Sequence, residues 1–256
     1  MTEKKSVSDW KLFKWKLPEL TGRMLKLLAL VSMVADHIGV IIVEQRILNR
    51  RVSSSALPLV YGLSWKQWFY ADRFLRCIGR LAFPIYLYFL VEGFVCTRNK
   101  KAYGIRLLLF ALLSEIPFDY AIFGQWYYPA YQNVIFTLCI AYLTLCAMHK
   151  YRHRMGLLFI FPTIGAMMAS VLHVDYGAVG VLMAVILYVY RGSRQQLVAG
   201  AAIAALESLS LYGTAALSFL LLRCYCGNEG KWPGKYFFYF AYPGHLLLLA
   251  WIGRLI

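Results

Sequence analysis

MLKLLALVSMVADHIGVIIVEQ, residues 24–45, carries titratable groups only at Lys26, Asp36, His37 and Glu44. A helix needs about 20 apolar residues to cross a bilayer, and this stretch has that length. Comparable blocks recur almost to Ile256, so the spacing predicts spans at 24–45, 74–97, 103–123, 132–149, 155–173, 176–190, 195–211, 212–226 and 236–255. The fold class expected is all-α: a polytopic integral membrane helical bundle of about nine transmembrane helices.

The whole composition agrees with that first stretch. The 256 residues are 61% hydrophobic and 15% charged, with a mean hydropathy of +0.58. Soluble domains run about 45–50% apolar and about 25% charged. A soluble enzyme, a secreted disulfide scaffold, a disordered tail and a coiled coil are thereby excluded. The six cysteines, Cys77, Cys96, Cys139, Cys146, Cys224 and Cys226, lie mostly in apolar runs without framework spacing and read as small buried hydrophobes. The Cys224-x-Cys226 pair alone does not make a metal centre, and no metal is expected.

Lys and Arg outnumber Asp and Glu by 27 to 12, a formal charge of +15. Their placement in short loops is the positive-inside pattern of a membrane protein, so the partner is the lipid bilayer and not nucleic acid. Nine spans with the N-terminus inside put nineteen basic residues on the cytoplasmic side and six outside, which fixes the N-terminus as cytoplasmic. Residues 1–22, with Lys4, Lys5, Lys11, Lys14 and Lys16 around Trp10, Phe13 and Trp15, form a cytoplasmic amphipathic basic arm on anionic lipid. Residues 23–256 are a single transmembrane domain. Residues 46–73 form the long outer loop, whose Trp65, Trp68 and Phe69 suit an interfacial or re-entrant flap.

Ionisable groups inside spans are costly unless paired or facing a cavity, and are functional candidates by default. At about 100° per residue, Lys26, Met33, His37 and Glu44 share one helix face, with His37 about 16 Å deeper than Lys26. Asp36 lies about 100° round and is placed to meet a neighbouring helix. Arg73, Arg76 and Arg80 share a face of the second span and need acids or an anionic ligand. Lower in that span Glu92 approaches Arg98 and Arg106, and Pro84 allows a bend. Glu115, Pro117 and Asp119 sit in the third span, where the proline implies a break. Gln132 and Asn133 open the fourth, lining a vestibule or capping the helix. Glu207 has no partner visible in the sequence. His245 in the last span matches His37 in depth, either as a packing residue or as its companion. His149 and His153 fall in a basic loop and read as solvated.

A midplane imidazole can act as general base or transient acyl carrier. A basic cytoplasmic rim suits a phosphate-bearing donor such as acetyl-coenzyme A. Asp36 and His37 as plain interhelical cross-links are the bland alternative. The rival functional reading is a proton-coupled transporter or flippase of an anionic substrate; no internal repeat is visible in support of it.

The run LKLLALVSMVADHIG, then LRCIGRLAFPIYLYFLVEGFVCTRNKKAYGIRLLLFALLSEIPFDYAIFG and QNVIFT, resembles the TraX family of conjugal-transfer membrane proteins, whose plasmid-encoded members are pilin N-acetylases. The similarity is most specific over residues 25–138, with Asp175–Tyr176–Gly177 and the last-span histidine beyond it. More widely, Lys26, ten residues and His37 are similar to the first span of transmembrane acyltransferases, which has arginine at the first position. Lysine holds phosphate as a point charge, without the bidentate fork. The segment VEGF before TRNKKAYGIR is similar to a further motif of that group, with Glu92 replacing a small residue. The resemblance implies a bacterial cytoplasmic-membrane, multi-pass acetyltransferase. Its donor would be acetyl-CoA and its acceptor an amine, as in a pilin-like protein, or a glycan hydroxyl. His37 and Asp36 would be catalytic. Lys26, Arg98, Lys101 and Arg106 would face the donor, and Arg76, Arg80, Glu92, Glu115, Asn133 and His245 would line the cavity.

Overall fold

A computed structural model describes residues 18–49, 62–231 and 234–256. Residues 1–17 of the basic arm and 50–61 of the expected outer flap lie outside the described residues; Trp65, Trp68 and Phe69, expected in the flap, instead open a helix that begins at Trp65. Helix α1, Gly22–His37, begins on Thr21, whose hydroxyl accepts from the Met24 amide. It continues without interruption as a π-helical stretch, Ile38–Leu48. Then follow α2, Trp65–Gly79; α3, Ala82–Cys96; α4, Lys100–Phe123; α5, Val134–Lys150; α6, Leu157–Val171; α7, Gly177–Val189; and α8, Arg194–Glu207. Short 3₁₀ turns at Leu209–Leu211 and Thr214–Leu217 lead to α9, Ser218–Arg223, and α10, Lys235–Leu255, ends the chain. No strand occurs among the described residues.

Two helical stretches, Gly22–Leu48 and Trp65–Cys96, are long and apolar enough to cross a membrane, and shorter apolar helices include Val134–Lys150, Leu157–Val171 and Gly177–Val189. Large apolar side chains cover the outside, among them Leu109, Leu112 and Ile116 of α4 and Phe159, Ile164 and Met167 of α6. Apolar surface of that extent suits lipid and not water. The described residues thus have the character of a membrane protein.

Helix α3 is the hub. Its residues from Phe83 to Phe94 are buried nearly all round, as expected for a helix that is hydrophobic on every face. It packs on α1, α5, α7 and α9, while α10 closes the bundle against α1 and α4. The second expected span starts nine residues early and is two helices: a capping box between Ser64 and Gln67 starts α2, and the chain turns at Arg80–Leu81. Pro84 in the first turn of α3 has no N–H to offer the Arg80 carbonyl, which accounts for the break. Pro117 does not break α4, contrary to the sequence expectation. The helix continues through it, with α10 and α5 packed along α4, and the Leu113 carbonyl lacks its usual donor.

At one end of the bundle, Leu20 pairs with the 224–226 backbone, and the amides of Gly22 and Arg23 donate to the carbonyls of Asn228 and Glu229. This end also gathers Arg98, Lys100, Lys101, Lys150, Arg152 and Arg191. The opposite end holds the turns at 124–133, 172–176 and 208–213.

Candidate functional site

The site forms where α1, α2 and α10 meet, with α8 and the 172–176 turn beside it. Asp36 ends the regular part of α1 and faces α2, as its angular offset from His37 requires. Its Oδ2 accepts from Nη1 of Arg76 at 2.7 Å. Gly79, one turn after Arg76, makes this approach possible: a Cβ there would overlap the Asp36 carboxylate. Arg80 reaches away from α1, and its Nη1 donates to Oε1 of Glu207 at the end of α8, 3.3 Å away. Glu207, unpartnered in the sequence reading, thus has its arginine. Arg73 uses its guanidinium on the Ser210 carbonyl.

The Asp175–Tyr176–Gly177 turn completes this polar cluster. Tyr176 adopts a left-handed backbone, φ 61°, rare for a non-glycine residue. Its ring stacks on Phe83 at 3.8 Å and lies under the Arg80 guanidinium, 5.6 Å from the ring centre. Asp175 Oδ1 accepts from the Tyr131 hydroxyl at 3.0 Å and the Tyr176 amide at 3.1 Å. The Thr137 hydroxyl donates to the Asp175 carbonyl. Burial pushes the Asp175 carboxyl above the usual carboxylate range, and the Tyr131 hydrogen bond and Arg80 oppose that rise. Asp36 Oδ1, Arg80 Nε and Glu207 Oε2 are buried without a hydrogen-bond partner, so the cluster retains donor and acceptor capacity for a polar guest or water.

His37 faces α10. Its Nδ1 lies 2.8 Å from Nε2 of His245, and Nδ1 of His245 lies 2.8 Å from the Ala241 carbonyl oxygen. Tyr242 closes the pair, its ring centre 6.3 Å from that of His37 and 5.7 Å from that of His245. The equal depth of the two histidines, legible in the sequence, corresponds to a direct contact. Glu44 does not share the His37 face and is exposed. The i→i+5 turns of Ile38–Leu48 are wider than α-helical ones, so the 3.6-residue spacing ceases to apply just beyond His37.

The remaining expected residues divide by place. Asn133 is the N-cap of α5, its Oδ1 accepting from the Ile135 amide at 2.9 Å. Its amide nitrogen donates to the Ala111 carbonyl and to Glu115, so Glu115 and Asn133 tie α4 to α5. Asp119 accepts from the Tyr128 amide at 2.7 Å and shapes the 124–133 turn. Glu92 does not pair with Arg98 or Arg106. It holds Arg191 by two hydrogen bonds of 2.9 and 2.8 Å, because the end of α7 comes closer to α3 than the start of α4 does. Lys26 donates to Glu229 at 2.7 Å, with its ammonium 4.8 Å from the Phe89 ring centre. Arg98 and Lys101 are exposed at the start of α4, and Arg106 lies over Tyr103 at 5.7 Å. His149 is half-buried and not solvated: its Nδ1 lies 3.1 Å from the Tyr188 hydroxyl. Among the described residues no group of three or more His, Cys, Asp or Glu is placed to hold a metal.

Sequence reasoning missed Asp175, Tyr176, Tyr131 and Tyr242 as site residues. The Asp-Tyr-Gly run was their one visible signal, since a tyrosine between an acid and a glycine marks a turn, not a span.

A helical bundle of membrane-protein character with a half-buried histidine pair beside a half-buried Arg–carboxylate network is the class that fold and site define. The family model described as "TraX protein" matches residues 21–253, nearly the whole chain, and the chain belongs to the TraX family. A curated relative, described as "Probable fimbrial assembly protein FimC, serogroup H1" of Dichelobacter nodosus, is 28% identical over 257 residues, covering 91% of this chain and 95% of the relative. No solved structure matches.

Proposed function

We propose that the chain is a multi-pass acetyltransferase of the bacterial cytoplasmic membrane, with its N-terminus inside. It would pass an acetyl group from cytoplasmic acetyl-CoA to an acceptor at or across the membrane. The observation that carries this reading is His37: an imidazole in an apolar helix, held by hydrogen bonding to His245, on the helix that starts at the strongly basic bundle end. A positioned imidazole is the commonest general base for acyl transfer.

The basic end suits the donor's phosphates. None of the four ion pairs among the described residues involves Arg98, Lys101 or Arg106, so their charge is open to an anion. Lys26 must exchange Glu229 for a phosphate before it serves the donor. The donor supplies an activated thioester; His37 takes the acceptor's proton and returns one to the leaving sulfur. Asp36, Arg76, Arg80 and Glu207 form the polar wall beside it. The acceptor is an amine, as on a pilin-like protein, or a glycan hydroxyl. The fimbrial-assembly description of the Dichelobacter relative favours the first.

The unpartnered Asp36 Oδ1 and Glu207 Oε2 also favour a second reading, an anion transporter driven by protons. The test is purified protein in nanodiscs with acetyl-CoA, following free coenzyme A and the mass of the first-span peptide beside His37→Ala. Coenzyme A release or an acetyl adduct lost in the variant supports transfer. Neither signal, with no donor binding, rejects it in favour of transport.

A further inference from the structure

The hydrogen-bonded chain Ala241, His245, His37 admits one placement of protons when both rings are neutral. The Ala241 carbonyl only accepts, so Nδ1 of His245, 2.8 Å away, carries its hydrogen. A neutral imidazole has one N–H, so Nε2 of His245 bears a lone pair. The His37 Nδ1 facing it at 2.8 Å must then donate, and Nε2 of His37 is left with the free lone pair. The Met33 carbonyl, one turn earlier on α1, is a second acceptor for the His37 ring and favours the same Nδ1–H form, whereas the neighbouring acid does not supply this orientation, because Oδ2 of Asp36 is held by Arg76.

We infer that His245 is a positioning residue for His37: it holds the His37 ring as the Nδ1–H tautomer and so presents Nε2 as the basic nitrogen of the acyl-transfer centre. This rests on the acetyltransferase reading above and adds the atom and the residue that selects it. A base is fixed by the bond its other nitrogen makes, and here a second imidazole joins a backbone carbonyl, that of Met33, in that role. In the transfer the acceptor X–H forms its X–C bond to the acetyl carbon and gives its proton to His37 Nε2. The C–S bond breaks with its electron pair on sulfur, and Nε2–H returns the proton to make the thiol. One proton enters and leaves by one nitrogen. While His37 holds it, Nδ1–H still donates to His245, which shares the charge between two rings. The chain ends on a helical backbone carbonyl that takes no proton, so it orients a base and is not a wire to solvent.

The experiment labels all histidines of the full chain with ¹⁵N, in nanodiscs, and reads ring-nitrogen protonation by solid-state NMR, assigning His37 and His245 by loss of their signals in His37→Ala and His245→Phe. Expected is a protonated Nδ1 and a bare Nε2 on both rings. His245→Gln places an amide oxygen where Nε2 was and restores the acceptor; His245→Phe fills the space and offers none. The Phe variant, left with the Met33 carbonyl alone, is expected to show a weakened His37 Nδ1–H preference and to lose about 10–100-fold of coenzyme A release, the range found when a partner that orients a functional histidine is removed. The Gln variant is expected to keep the tautomer and recover at least tenfold over Phe. A hydrogen on Nε2 of wild-type His37, or equal behaviour of Gln and Phe, overturns the inference. Absence of coenzyme A release and of acetyl-CoA binding in wild type would instead sink the acetyltransferase reading, with the tautomer signature alone then deciding the role of His245.

Discussion

Removing Arg80 tests whether the buried ion network is a coupled structural unit. The Arg80 and Glu207 side chains are 19% and 12% exposed and 3.3 Å apart. At an effective dielectric constant of about 20, two unit charges at that separation attract by about 5 kcal/mol before desolvation. Taking one partner away leaves the other charge buried alone, at a cost of about 3–5 kcal/mol. Arg80→Met is expected at the upper end, because Arg80 also lies over Tyr176. Glu207→Leu is expected nearer the lower end. The double variant replaces the pair by apolar packing and is expected to cost less than either single one, since well-packed apolar replacements of buried pairs are often neutral. The assay is equilibrium unfolding in mixed detergent micelles of the four proteins, read as a double-mutant cycle. Additive losses, or singles costing under about 1 kcal/mol, would refute the description of this pair as buried and coupled.

Four further outcomes are expected. Gly79→Ala drives a methyl into Asp36 and should cost about 1–3 kcal/mol, with an unchanged melting midpoint counting against the close α1–α2 approach. Arg98→Ala and Lys101→Ala should each raise the KM for acetyl-CoA by up to about fivefold, the worth of one partly screened surface charge, with kcat unchanged; an effect on kcat alone would move these residues away from the donor. Glu92→Ala, which frees the half-exposed Arg191, should lower stability by only about 0.2–1 kcal/mol and by less at high salt; a larger loss would mean the pair is better shielded than its exposure indicates. Cysteines introduced at Tyr127 and Met155, exposed by 73% and 74% at opposite ends, should be labelled from outside and inside the cell respectively, and the reverse pattern would invert the topology.

Much of the architecture was legible because the bilayer imposes a simple rule: apolar blocks of helical length separated by charged or glycine-containing turns. The boundaries of α4, α5, α7 and α10 fall within a few residues of the blocks read from hydropathy. The expected 212–226 span is instead a 3₁₀ turn, Thr214–Leu217, followed by the six-residue α9, too short to cross a bilayer, and two further departures have local causes. Pro84 divides the second block, because its missing N–H sits one turn after Arg80. The π-helical stretch after His37 removes Glu44 from a face that α-helical spacing assigns it.

The site was legible in its parts and not in its pairing. Composition and hydropathy by themselves determined an all-helical membrane protein, and the rarity of charge in apolar spans singled out Asp36, His37, Arg76, Arg80 and His245. Which acid meets which arginine was settled only by helix packing: Arg76 takes Asp36 because Gly79 lets α2 close on α1, and Arg80 takes Glu207 because α8 ends beside it. The tertiary structure likewise joined His37 to His245 across 208 residues and brought the Asp175 turn into the cluster. Pattern along a chain reports what each residue costs to bury; it holds no information about the distance between helices, and ion pairs and imidazole contacts depend on that distance.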